Sequence, residues 1–271
     1  NHSKNYKPDY SDGSHLRGAP KQGRLTIPLQ LVKSGIPAAE IIADTSGDAC
    51  LTTAANELRH WLKEISSVEL PLLQSPSHTD NIKIHLGAKW AGDYGDDLKK
   101  LTGSDGFAIR NRGRNLYIFG ESAKGVMNGI YTFLEANSDI IWPRPRPDVG
   151  VVFSTDPNLT VVWGDICERP ASHLRGWGTN YGRNHDDEIW MARNRCNYPN
   201  GGGGFDPSFN APRKAWGGFS EYGGGHNLLQ YISTKKYFDT HPEFFCFQNG
   251  QWQRSREMEH QICFTNREMT T

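Results

Sequence analysis

Three consecutive acids, Asp186, Asp187 and Glu188, form one dense group of potential metal ligands in this chain of 271 residues. Adjacent carboxylates could share a divalent cation. The trio also opens a predicted helix, where negative charge opposes the positive end of the helix dipole with no ion present. The second reading is adopted, and no metal is expected. The glycine runs at 201–204 and 223–225 could wrap a phosphate, but neither follows a strand with GxGxxG or GxxxxGK[ST] spacing. GESAKG, residues 120–125, also lacks the required GK[ST], so no nucleotide or other cofactor is expected. Cys50, Cys167, Cys196, Cys246 and Cys263 show no CxxC spacing, which removes a zinc ribbon and a thioredoxin-type centre. An odd, sparse set of thiols reads as reduced and mostly buried. Asn158-Leu159-Thr160 matches an N-glycosylation sequon but falls at a predicted strand.

The charges cancel, with 30 Lys plus Arg against 30 Asp plus Glu. A chain without a basic surplus lacks the usual means of displacing phosphate counterions, so nucleic acid is not an expected partner. No apolar run approaches the roughly 18 residues needed for a membrane span. The 8 Trp, 10 Tyr and 12 Phe stand among 29 Gly and 15 Pro, a loop-rich balance that argues against a helical bundle. At about 150 residues per domain the length predicts roughly two domains. Residues 1–23 are polar and aperiodic and begin at Asn1, the pattern of a flexible tail behind a removed export signal or a cloning boundary. An exported protein is therefore expected.

From Arg24 the pattern becomes regular. RLTIPLQLV and AEIIAD read as short strands. Asp48 then caps a helix whose Leu51, Ala55, Leu58, Leu62 and Ile65 recur at helical spacing, with Glu57, Arg59, Lys63 and Glu64 on a solvated face. The strand IKIHLG follows, then a short helix near 96–101. A hairpin pairs 107–110 with 116–119, turning through 112–115. A helix capped by Ser122 runs to Asn137 with Val126, Ile130, Phe133 and Leu134 as its buried stripe, and LTVVW is a last strand. This alternation predicts an α/β sandwich domain over residues 24–165. Beyond it, HLRGWGT reads as a strand, DDEIWMARNRCN as a helix leading into a short strand, residues 234–240 as a helix and QICFTN as a strand. That order is the beginning of a (β/α)8 TIM barrel over residues 166–271, with about three of the eight strands present.

Three segments carry a resemblance to known families. AANELRHWLKEISSVELPLL, together with GFAIRNRGRNLYIFGESAKGVMNGIYTFLEANSDIIWPRP, is similar to the accessory N-terminal domain of hexosaminidase- and α-glucuronidase-type glycoside hydrolases. ERPASHLRGW resembles the start of strand one in the family 20 hexosaminidase barrel. GGGHNLLQYISTKKYFDTHPEFFCFQNGQW with QICFTNREM resembles segments of domain of unknown function 4838, which includes glycoside hydrolase family 163, endo-β-N-acetylglucosaminidases acting on complex N-glycans. The third segment is the most specific. The resemblance implies a carbohydrate-active protein whose partner is an oligosaccharide or glycan.

It also implies site residues. Arg175 falls where the hexosaminidase arginine at the end of strand one grips sugar hydroxyls, a role suited to a guanidinium fork that donates to two vicinal hydroxyls. A structural arginine pairing a core carboxylate is the competing role. Trp177 is two residues on, hence on the same face of a strand, where an indole could stack on a pyranose or simply fill the core. His226 and Asn227 match the family's histidine position before the YF…HPE run and could line a sugar subsite or brace the loop. His241 reads as bracing a turn beside Pro242.

Glycoside hydrolysis needs an acid and a second group across the scissile bond. In hexosaminidases the Asp-Glu pair belongs to barrel strand four, and the strand count places Thr271 before it. The catalytic residues are therefore expected outside this sequence, leaving the chain the inactive N-terminal portion of an exported hydrolase. The alternative is a non-catalytic carbohydrate-binding or scaffolding module.

Overall fold

A computed structural model describes residues 23–146, 148–176, 185–197, 214–218, 232–254 and 262–270. These fall into two compact units, the first holding the described residues up to Asn197 with 214–218, the second holding 232–254 and 262–270.

The first unit is built on strands β1 (Arg24–Gln30), β2 (Val32–Lys33), β3 (Ile36–Pro37), β4 (Ala39–Ala43), β5 (Leu72–Leu73), β6 (Ile82–Leu86), β7 (Phe107–Arg112), β8 (Asn115–Phe119), β9 (Thr160–Trp163) and β10 (Ile166–Glu168). Its helices are α1 (Ala49–Ser66), α2 (Gly95–Leu101), α3 (Ala123–Asn137) and α4 (His185–Arg193). Six strands make one mixed sheet in the order β10-β7-β8-β6-β4-β5. The β4, β5, β6 and β8 pairings are parallel, and β7 pairs antiparallel with β8 and β10. β1 and β9 form a separate antiparallel ribbon, and β2 and β3 a hairpin. That hairpin turns on Ser34 and Gly35 at φ 49° and 76°, the left-handed pair a two-residue turn demands.

Both long helices begin where the sequence places their caps. Asp48 accepts from Leu51 N–H (2.9 Å) and Ser122 from Gly125 N–H (3.2 Å), each satisfying a donor the helix cannot use internally. Side chains alternate along each strand, so Ala39, Ile41, Ile82, Ile84, Leu116, Ile118, Phe107 and Ile109 share one core with α1 and α3. Each fully buried Leu or Ile there contributes about 2 kcal/mol. The other face carries Ala108 and Phe119 against Ala91 and Leu101, together with a buried Lys83–Glu40 pair (3.0 Å) and His85 stacked on Tyr117 (4.8 Å).

α3 lies unusually close to the sheet, and its glycines permit this. A methyl group on Gly125 would enter the Gly106 carbonyl oxygen, and one on Gly129 would come within 2.8 Å of Ile118 Cγ2. At its far end, Asn137 accepts from the N–H groups of Val162 (2.8 Å) and Trp163 (2.9 Å) and donates to Trp163 O (3.0 Å), fastening β9 to the helix.

Several expectations change. Glu57 is not on a solvated face. It accepts from Trp61 Nε1 (3.0 Å), Tyr131 Oη (2.8 Å) and Arg193 Nη2 (3.1 Å), because α3 and α4 cover that side of α1. Asn158 lies in an exposed turn before β9 rather than in a strand, with its side-chain oxygen accepting from Ser34 N–H (2.9 Å). Residues 173–176 of the expected strand HLRGWGT are irregular, and so are 194–197 after α4. Their backbones serve each other instead, with Asn197 N–H donating to Arg175 O at 2.9 Å.

The second unit holds helices α5 (Thr234–Tyr237) and α6 (Arg267–Thr270), with a hairpin of β11 (Phe247–Gln248) and β12 (Gln251–Trp252). Phe244, Phe245 and Ile262 form its small core. Within QICFTN, Ile262 makes only an isolated bridge to Phe245 before the chain turns. The described residues thus show a mixed α/β fold with one six-stranded mixed sheet.

Candidate functional site

Of the four sugar-binding residues expected, Arg175 is described, while Trp177, His226 and Asn227 lie outside the described residues. Arg175 follows β10 in irregular chain. Its N–H donates to Asn197 Oδ1 (2.9 Å), so a side chain supplies the pairing a strand neighbour would otherwise give. The guanidinium is held at all three nitrogens. Nη2 pairs with Asp105, Nη1 donates to Ser172 O (2.8 Å) and Nε to Arg195 O (3.1 Å). Its side chain remains 21% exposed.

Asp105 comes from the turn between α2 and β7. Gly106 presses that turn against β10, since a Cβ there would stand 2.7 Å from Glu168 O. The Asp105 carboxylate also accepts from Asn197 Nδ2 (3.1 Å) and Asn128 Nδ2 (3.3 Å), and Asn128 donates to Asp105 O at 2.9 Å. Asn197 Nδ2 further donates to His173 O (2.7 Å), while Asn128 Oδ1 is buried without a hydrogen-bond partner. One helical turn before Asn128, Lys124 is buried and donates to Trp216 O (3.4 Å). Burial pushes its ammonium down to about 8 from the ordinary 10.5, against the opposing pull of Cys50, Asp105 and Cys196. Burial likewise lifts the Cys50 thiol to about 11 and raises that of Cys196, so both are protonated and inert near neutrality.

Beside this network, Glu188, Cys196, Asn197 and Trp216 line a cavity of about 10 Å3, the room of a single water. The acidic trio 186–188 occupies the first turn of α4. The arrangement can therefore present a rigid, partly exposed guanidinium to hydroxyl groups. Asp105 is committed to three donors and so is poorly placed to act as a proton donor. Sequence reasoning missed Asp105, Asn128, Lys124 and Asn197. The glycines at 125 and 129, which the sequence reading did not use, are a local signal that could have pointed to a helix lying tightly on its surroundings.

A separate cleft of about 270 Å3 opens where α1, α4 and residues 144–151 meet, lined by His60, Trp61, Arg144, Arg146, Trp190 and Arg193 among others.

The fold and site together define a mixed α/β protein with an internally braced arginine. No family model matches the chain, and no curated protein does. Solved structures are similar over part of it. A mutant Streptomyces plicatus β-hexosaminidase in complex with its product GlcNAc is 17% identical at a TM-score of 0.44, over 69% of this chain and 34% of that one. A family 20 β-N-acetylhexosaminidase from Streptomyces coelicolor is 16% identical at a TM-score of 0.41, with the same coverage of 69% and 34%. The chain thus spans about a third of the length of these structures, and the activities in their names are properties of those proteins.

Proposed function

We propose that this chain is the sugar-gripping part of an exported glycoside hydrolase acting on glycans that contain N-acetylglucosamine, of the domain of unknown function 4838 and family 163 kind. The resemblance in GGGHNLLQYISTKKYFDTHPEFF and QICFTNREM supports the family, and the bracing of Arg175 supports the role. A guanidinium fixed by Asp105 and two carbonyls keeps further N–H groups for a ligand and loses little side-chain freedom on binding. The same resemblance gives sugar-contacting roles to Trp177, His226 and Asn227. The chain by itself binds and does not cleave, because the acid nearest the guanidinium is engaged by three donors.

The test is a titration of N-acetylglucosamine oligosaccharides and a complex N-glycan into the chain and into an Arg175→Lys variant of unchanged circular dichroism. A loss of about tenfold in affinity is expected, near 1.4 kcal/mol, since lysine cannot donate as a fork. Binding that Arg175→Lys leaves unchanged, or no binding, overturns the reading. Hydrolysis abolished by Glu188→Gln would overturn the non-cleaving part.

A second reading, carbohydrate binding without a catalytic partner, is favoured by the cleft at Trp61 and Trp190, whose volume approaches that of small-ligand pockets. A Trp190→Ala variant that loses glycan binding while Arg175→Lys retains it would select this reading.

A further inference from the structure

The HPE and NRE tripeptides of the second unit are distant in sequence, and the function proposed for Arg175 does not use them. In the fold their donor atoms converge. One ligand atom each from His241, Glu243 and Glu268 lies within 4.8 Å of the others. We propose that these three side chains form a binding site for a divalent transition-metal ion of the zinc class, linking the turn at 241–245 to the segment 262–270.

One pair, hydrogen-bonded to each other, is already spaced as metal ligands are. His241 Nδ1 and Glu243 Oε1 are 3.1 Å apart. Two ligands at about 2.1 Å from one zinc ion stand roughly 3.0 Å apart at a right angle and about 3.4 Å apart at the tetrahedral angle. The three ligand atoms all fall within 4.8 Å of one another, and the exposed Glu268 side chain has solvent around it in which to turn towards the other two.

The His241 ring and the backbone that carries Glu268 are held in place before binding. The His241 ring stacks flat on Phe244, with centroids 4.6 Å apart and planes 7° from parallel. Glu268 is set by Asn266, whose side-chain oxygen accepts from Glu268 N–H (3.0 Å) and Met269 N–H (3.2 Å). The segments are also joined by Cys263 N–H donating to Phe244 O at 2.8 Å, so little rearrangement precedes binding.

The donor set selects the ion. One imidazole and two carboxylates suit zinc and its neighbours, whereas calcium wants six to eight oxygens and magnesium an octahedron of oxygens. Three protein ligands leave a fourth position for water.

Isothermal titration of zinc into the whole chain, with cobalt absorption as the second measurement, tests the site. The wild type should bind one more zinc equivalent than Glu268→Gln, or bind it at least about tenfold more tightly. Glu243→Gln should behave like Glu268→Gln, and cobalt should give visible bands in the wild type that both variants lose. Magnesium should give no comparable binding. These exposed substitutions should leave the metal-free melting curve unchanged, and a variant that unfolds is replaced by His241→Gln. Equal stoichiometry and affinity in wild type and folded variants, or magnesium binding as tight as zinc, overturns the proposal.

Discussion

Glu57 and Arg193 meet across 136 residues of chain, and their ion pair joins α1 to α4. The Arg193 guanidinium also lies over the indoles of Trp61 (4.8 Å) and Trp142 (5.0 Å), so one side chain satisfies a carboxylate and covers two aromatic faces. Replacing Glu57 by Ala strands the Trp61 N–H, the Tyr131 hydroxyl and the Arg193 charge together. A loss of about 3 kcal/mol is expected, because breaking a buried pair leaves the partner desolvated. Glu57→Gln keeps an acceptor oxygen and should lose less. Urea unfolding of the variants checks this, and equal midpoints for wild type and Glu57→Ala would show that the pair contributes nothing net.

Two glycines should respond to alanine in opposite senses. Gly125→Ala places a methyl group in the Gly106 carbonyl and should cost at least about 2 kcal/mol, despite alanine's better helix propensity. Gly95, at the start of α2, has helical φ and open space around its Cβ position, so Gly95→Ala should gain about 0.5 kcal/mol. Thermal melting of the pair separates close approach from propensity. A stable Gly125→Ala protein would mean α3 sits farther from the sheet.

Removing the Asn137 side chain should free β9 selectively. Asn137→Ala leaves the amides of Val162 and Trp163 without the acceptor that holds them, a loss of about 2 kcal/mol. Hydrogen exchange should speed at those two amides well before it changes in β6. Uniform acceleration across the sheet would instead mark Asn137 as a global core residue.

Lys124 sets a pH dependence whose sign follows from its depressed value. Between about 8, the folded value, and 10.5, the ordinary one, the unfolded chain holds a proton that the folded chain has released. Stability due to this group therefore rises with pH across that window, and below it the charged amine costs roughly 3 kcal/mol. Lys124→Met should be more stable than wild type at pH 7, and the difference should shrink towards pH 10. Denaturant midpoints at pH 7, 8.5 and 10 provide the measurement, and a gap that widens with pH would contradict the assignment.

The two long helices, their caps at Asp48 and Ser122 and the hairpin at 107–119 were legible in the sequence because their determinants lie within a few residues of each other. A cap reaches an N–H three positions on, and a strand's alternation repeats every two residues. The pairing of Arg175 with Asp105 spans 70 residues, and nothing local to either one names the other. Glu57 read as a surface residue because helical periodicity sees only its own helix, whereas α3 and α4 bring Tyr131 and Arg193 onto it. The strand expected at HLRGWGT does not form at 173–176, since the Asn197 side chain takes the hydrogen bond that strand pairing would have used. Local propensity thus determined which segments are helix or strand. Only the tertiary path of the chain decided which polar groups are buried together, because desolvation depends on what covers a residue rather than on its neighbours in sequence.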